Sequence, residues 1–188
     1  MKSYSVKDLM IPLAEYAKVS EDATLLDAIN ALDEAQDNFD KNKYKHRAIL
    51  VFDKNNHIVG KISQHDVIKA LEPNYKKIEK SWHEISERFG ISETLIESAL
   101  KEYSLWDKPL QNLCQKAVSH NVKEVMYTPT EGEYISEDAG LNEAIHRLIM
   151  GRHHSLLVTS DSQNNIVGVL RLTDVFEFIA QEVKQCKI

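Results

Sequence analysis

The sequence predicts an α+β protein made of two copies of one small unit with a helical insert between them, and three observations carry that reading. Val6-Lys7-Asp8-Leu9-Met10 recurs as Val122-Lys123-Glu124-Val125-Met126, and Ser20-Glu21-Asp22-Ala23 recurs unchanged as Ser136-Glu137-Asp138-Ala139, both displaced by 116 positions. Ile58-Val59-Gly60 and Asp66-Val67 recur as Ile166-Val167-Gly168 and Asp174-Val175, displaced by 108. The apolar patterns between these markers follow one order in both copies, which is the mark of a repeated structural unit. The first copy spans residues 1–72, the insert 73–121 and the second copy 122–188. The change of offset places the extra residues of the first copy near Gln36–Lys45, a polar and charged stretch suited to a helix end and loop.

Each element has a local cause. Leu25, Ala28, Ile29 and Leu32 share one helical face, and Leu141, Ala144, Ile145 and Leu148 repeat that spacing. The runs Ala48–Phe52 and Leu156–Val158 are short and rich in branched aliphatics, which favours buried strands. Polar turns follow at Asp53–Asn56 and Asp161–Asn165. Second strands are expected around Ile58–Ile62 and Ile166–Leu170, and helices from about Asp66 and Asp174. The order is short strand, helix, strand, strand, helix, twice. A three-stranded sheet covered by helices on one face still has an apolar face to bury, and a second copy supplies the partner surface.

Composition narrows the function. A chain of 188 residues, 43% hydrophobic and 28% charged, suffices for one or two compact cores in an ordinary globular protein. The net charge of −6 argues against general affinity for nucleic acid or anionic membrane. Cys114 and Cys186 lack metal-type spacing and fit a reduced, cytoplasmic setting. The start lacks the apolar stretch of a signal peptide, and no segment approaches bilayer-spanning length. No Walker loop, nucleophile elbow or metal-ligand pair at helical spacing occurs, so the chain is not expected to be an enzyme.

The insert reads as helical. Trp82, Ile85 and Phe89 mark one amphipathic helix ended by Gly90. Ser92 caps a second with Leu95, Ile96, Ala99 and Leu100 in a stripe. Asp107 and Pro109 open a third that runs to about Ser119. Glu84–Ser92 also has the look of a helix-turn-helix, which would make the protein a ligand-responsive DNA binder. Ser92–Tyr103 carries Glu93, Glu97 and Glu102 against Lys101 alone, and phosphates would repel such a recognition helix. The basic cluster Lys76, Lys77 and Lys80 precedes the pair and suits a solvated face.

The Val-Lys-Asp-Leu-Met opening, the Leu-rich helix and the Gly-apolar-apolar-Ser/Thr-x-x-Asp ending, in an order that occurs twice at a fixed offset, resemble the cystathionine-β-synthase-type (CBS) domain. The resemblance covers both ends of the chain and implies two CBS repeats packed about a pseudo-twofold axis, leaving two clefts between them. It also implies a regulatory module that holds an adenosine ligand (AMP, ADP, ATP or S-adenosylmethionine), forms a homodimer and signals to a regulated protein in trans. The insert is longer than linkers between paired CBS domains commonly are.

The site residues come from that resemblance. In Gly60-Lys61-Ile62-Ser63-Gln64-His65-Asp66 the Ser63 hydroxyl and Asp66 carboxylate correspond to groups that face a nucleotide. A carboxylate accepts hydrogen bonds from both ribose hydroxyls, and helix N-terminal amides favour phosphate. Ser63 with Asp66 is equally good helix-start chemistry without a ligand. In the second copy Asp174 is retained, Arg171 takes the hydroxyl position, and Thr173 immediately precedes the Asp. Arg171 is a candidate phosphate clamp or a surface ion-pair former, and the two clefts should differ in affinity. His46 and Arg47, with Arg152, His153 and His154 in the second copy, correspond to basic residues that meet a phosphate chain, or else cap strand ends. Adjacent residues on a strand point to opposite faces, which argues against His153 and His154 as a metal pair. Val19 and Ile135 correspond to an adenine slot, although aliphatics at such places are commonly core. The alternative to a sensor is a ligand-free interaction scaffold in which these groups only cap helices.

Overall fold

The computed structural model describes residues 4–37, 44–71, 98, 112–160 and 165–185. The proposed insert helices before residue 112, the helix-turn-helix stretch Glu84–Ser92, the Lys76–Lys80 cluster and Cys186 lie outside the described residues, as do parts of the Gln36–Lys45 loop and the turn after Asp161.

The first copy forms β2 (Lys18–Ser20), α1 (Leu25–Asp37), β3 (Ala48–Phe52), β4 (Ile58–Ser63) and α2 (Gln64–Leu71), preceded by β1 (Ile11–Pro12). After α3 (Leu113–Ser119) and α4 (Val122–Val125), the second copy forms β5 (Tyr134–Ser136), α5 (Leu141–Met150), β6 (Ser155–Thr159), β7 (Ile166–Arg171) and α6 (Leu172–Gln185). The predicted order of elements is therefore present twice. Helix starts have visible chemistry: at α1 the Thr24 amide and hydroxyl both donate to Asp27, whose own amide donates back to Thr24 Oγ1.

One sheet runs β2-β3-β4 and the other β1-β7-β6-β5, with β2 parallel to β3, β5 parallel to β6, and the remaining pairs antiparallel. Helix-facing side chains make two cores: Val19, Ala28, Leu32, Ile49, Val51 and Ile62 in one copy, and Ile135, Ala144, Leu148, Leu156, Val158 and Leu170 in the other. The opposite sheet faces meet in a third cluster of Ile11, Tyr16, Leu50, Leu157 and Val169.

The two copies exchange their openings. The Val6 amide donates to Ala139 O and the Lys7 amide to Glu137 O, while Val122 and Lys123 donate to Ala23 O and Glu21 O. Val6 is buried in the core of the second copy and Val122 in that of the first. Ile11 pairs with Val169, and Tyr127 makes the equivalent bridge to Lys61. The final-strand glycines accept this crossing: a Cβ on Gly168 would lie 2.6 Å from Ile11 O and 2.9 Å from Met10 Sδ, and one on Gly60 would lie 2.5 Å from Met126 Sδ. The recurring opening motif is thus a clasp that each copy applies to the other.

Gly168→Ala is expected to lower unfolding free energy by about 1–3 kcal/mol, because its new methyl meets backbone at Ile11 and must part β1 from β7. Urea denaturation followed by circular dichroism measures this, and an unchanged midpoint would contradict the clasp.

Candidate functional site

The last strand of each copy runs directly into the following helix, β4 into α2 at Ser63–Gln64 and β7 into α6 at Arg171–Leu172, and near these junctions Lys61 and Arg171 reach groups of the other copy. The two junctions are equivalent in backbone and different in chemistry.

At the first junction, Asp66 Oδ2 accepts the Ser63 amide (2.9 Å) and Ser63 hydroxyl (2.6 Å), and the Asp66 amide donates to Ser63 Oγ (3.2 Å). These bonds cap α2 and fall on one carboxylate oxygen. Oδ1 lies 4.0 Å from His65 Nδ1, and the Asp66 side chain keeps 26% of its exposure. The Arg47 carbonyl accepts the Gln64 amide at the same junction, and Arg47 itself is exposed.

At the second junction, both oxygens of Asp174 are taken. Arg171 Nε donates to Oδ2 and Nη2 to Oδ1, each at 2.5 Å, and Nη1 donates to the Tyr44 carbonyl at 2.8 Å. This fork-on-carboxylate pair is the strong, geometrically specific form of an ion pair. It is buried, with the Arg171 side chain 6% and that of Asp174 12% exposed. Thr173 is partly exposed beside it.

His46 and Tyr16 from the first copy close over this pair. His46 is fully buried and meets Tyr16 edge-on, with ring centroids 4.6 Å apart. Burial first, and then the positive charge of Arg171, pushes the His46 imidazole down to about 4, against smaller opposing effects of the Glu15 backbone and Asp174. Burial pushes the Tyr16 hydroxyl up to about 12, with Arg171 pulling it down and Asp174 pushing it up. The aromatic pair and the guanidinium therefore form one packed block around Asp174.

The equivalent positions in the second copy are different. Gly132 stands where Tyr16 does, 116 positions on, and is exposed. Among the described residues, a Cβ at Gly132 would meet within 4 Å only His153 Nε2, at 3.7 Å. His153, the counterpart of His46, is half-buried with its ring against Gly151, and Arg152 before it has a left-handed φ of 52°. His154 and Arg152 are exposed. Beneath them Glu133 is buried and pairs with Lys61, whose ammonium lies 5.4 Å from the Tyr127 ring centroid. Burial alone would raise the Glu133 carboxyl, but hydrogen bonds from Lys61, Tyr127 and the Thr130 amide outweigh it and hold the group below the usual range.

Val19 and Ile135 lie in the sheet–helix cores, paired with Val51 and Val158. The structure thus brings Ser63 and Asp66 together, and Arg171, Asp174 and His46 together, and leaves Arg47 and His154 at the surface. Tyr16, Gly132, Lys61 and Glu133 were not singled out as site residues from the sequence. The signal lay in the register itself, which sets Tyr16 against Gly132 and Lys61 against Val169. Among the described residues no three His, Cys, Asp or Glu side chains cluster as a metal site, and no helix is long and apolar enough to cross a membrane.

Comparison with known proteins bears on this geometry. The CBS domain family profile matches residues 6–73 and 122–181. The structure is similar to that of CBSX2 in complex with AMP (20% identity, 97% of this chain and 99% of that one, TM-score 0.57). CBSX2 from Arabidopsis thaliana is also matched at 19% identity, with 98% and 100% coverage and a TM-score of 0.58. The CBS domain of a bacterial CNNM/CorC family Mg2+ transporter in complex with ATP is matched at 16% identity, with 94% and 87% coverage and a TM-score of 0.55. No curated protein matches the chain.

The depressed His46 has a consequence for stability. Unfolded imidazole takes a proton below 6.5 while the folded one stays neutral to about 4. The unfolded state therefore binds more protons across that window, and the contribution present above it is lost as pH falls, by about 3 kcal/mol. Urea denaturation at pH 7 and pH 4.5 should show a smaller loss for His46→Phe than for the parent. Equal losses would contradict a buried neutral imidazole.

Proposed function

Because the chain belongs to the CBS domain family and carries two copies of that domain, we propose that it is a regulatory module, not an enzyme, which holds an adenosine nucleotide in the cleft between the copies and passes the bound state to a partner protein. The observation that carries this reading is Asp66, a partly exposed carboxylate at the start of α2 with one oxygen engaged by Ser63 and the other directed away from those bonds. Such a group can accept the hydroxyls of a ribose. The AMP and ATP complexes of similar structures support an adenosine ligand, with ADP and S-adenosylmethionine in the same chemical class. Arg47, His153 and His154 are the basic groups available to a phosphate chain at the surface, while Arg171 is held by Asp174. Val19 and Ile135, the expected adenine slot, lie in the sheet–helix cores, so an adenine would meet their strands only at the backbone. A nucleotide changes contact with a partner only where two states of the module bind it with different affinity.

The capping bonds between Ser63 and Asp66 are complete without a ligand, which favours a second reading, a ligand-free scaffold. Thermal unfolding separates the two. With AMP or ATP at about 100 times its dissociation constant, a binding module gains about 2.7 kcal/mol. Asp66→Ala should lose about 1 kcal/mol as a helix cap and also abolish the nucleotide effect. A cap loss with no nucleotide effect in the parent protein would favour the scaffold.

A homodimer completes the proposal. On α6, Leu172, Phe176, Ile179 and Val183 follow one another at helical spacing and are 38–63% exposed, and Ile149 and Met150 of α5 are also exposed. The 4-3-4 spacing is that of a helix–helix seam, which a second copy of the same helix fits. Sedimentation should give a dimer for the parent and a monomer for Phe176→Glu. A monomeric parent would overturn this part.

A further inference from the structure

We propose that the chain takes one nucleotide, in the cleft at Asp66, and that Tyr16 and Arg171 fill the equivalent cleft at Asp174. The inference rests on the adenosine-binding reading above and specifies its site and stoichiometry.

Three contrasts point the same way. The first is the carboxylate. A ribose needs acceptor oxygens, and Arg171 occupies both of those on Asp174, whereas Ser63 occupies one on Asp66. Displacing the guanidinium would leave a buried cation without its partner, a strongly unfavourable exchange. The second is space. Tyr16 puts a ring at 5% exposure against His46 beside Asp174. Gly132, its counterpart, has no side chain, and among the described residues even a Cβ there would have a single neighbour, at ordinary contact distance. The third is the inter-sheet floor. Beside Asp174 it is apolar, with Ile11, Tyr16 and Val169 packed together. Beside Asp66 the equivalent places hold Tyr127, Gly132 and Lys61, so this floor is polar and carries a cation held by Glu133. A polar floor with an open wall suits a nucleotide, and an apolar floor already packed with an aromatic ring does not.

The asymmetry also has an internal logic. The Arg171 fork reaches across to the Tyr44 carbonyl of the first copy, so the filled cleft ties the copies together. At the other cleft the copies are joined instead by the Lys61–Glu133 ion pair, and a ligand there would add contacts through the Asp66 carboxylate.

The test is AMP binding by native mass spectrometry and calorimetry on the full chain. The parent should take one AMP per chain. Gly132→Tyr, which copies the Tyr16 wall into the open cleft at an exposed position, should weaken AMP by about a hundredfold or more while leaving the thermal midpoint near that of the parent. Tyr16→Gly with Arg171→Ser, which copies the open cleft into the filled one, should admit a second AMP. Two AMP per parent chain, or undiminished binding to Gly132→Tyr, would overturn the inference and leave the adenosine reading standing. Absence of AMP and ATP binding from the parent would overturn both.

Discussion

The apolar faces that carry Leu50 on one sheet and Ile11, Leu157 and Val169 on the other leave water by packing against each other. Among the described residues neither face has helices to cover it, since the helices of each copy lie on the other side of its sheet. Burying that surface is the dominant favourable contribution to the pairing. It fixes where the last strands end and hence where Asp66 and Asp174 stand. The exchanged openings reinforce the same constraint: Val6 and Val122 complete cores that are not their own neighbours in sequence.

Once two similar units are held face to face, small differences decide what each cleft does. On the single-site reading proposed above, three substitutions between the copies distinguish the clefts. Tyr16 against Gly132 sets whether there is room. Arg171 against Ser63 sets whether the carboxylate is already engaged. Lys61 against Val169 sets whether the floor is polar. Each difference sits on a strand frame that both copies share.

Much of the fold was legible because it follows from local patterns repeated at fixed offsets. The helical stripes at Leu25–Leu32 and Leu141–Leu148 and the aliphatic strands appear where periodicity places them, and the helices expected from about Asp66 and Asp174 begin two residues earlier, at Gln64 and Leu172. The exchange of openings was not legible, because Val6 and Val122 are equally apolar whichever core receives them, and only the tertiary pairing distinguishes the two. In the site, Asp66 and Ser63 could be found by motif. Tyr16 could not: an aromatic ahead of a short strand reads as ordinary core until its counterpart is seen to be Gly132 and its neighbour to be Arg171. The choice for Arg171 between phosphate clamp and ion-pair partner depends on reach and burial, which sequence does not carry. The structure gives it Asp174 and the Tyr44 carbonyl.

The most direct measurement of the central claim is a crystal structure of the chain grown with AMP. The account predicts a single nucleotide whose ribose hydroxyls lie against the Asp66 carboxylate near Gly132, with the Arg171–Asp174 fork and the Tyr16 ring unmoved. A nucleotide seated at Asp174 with Tyr16 displaced, or one bound away from both junctions, would contradict it.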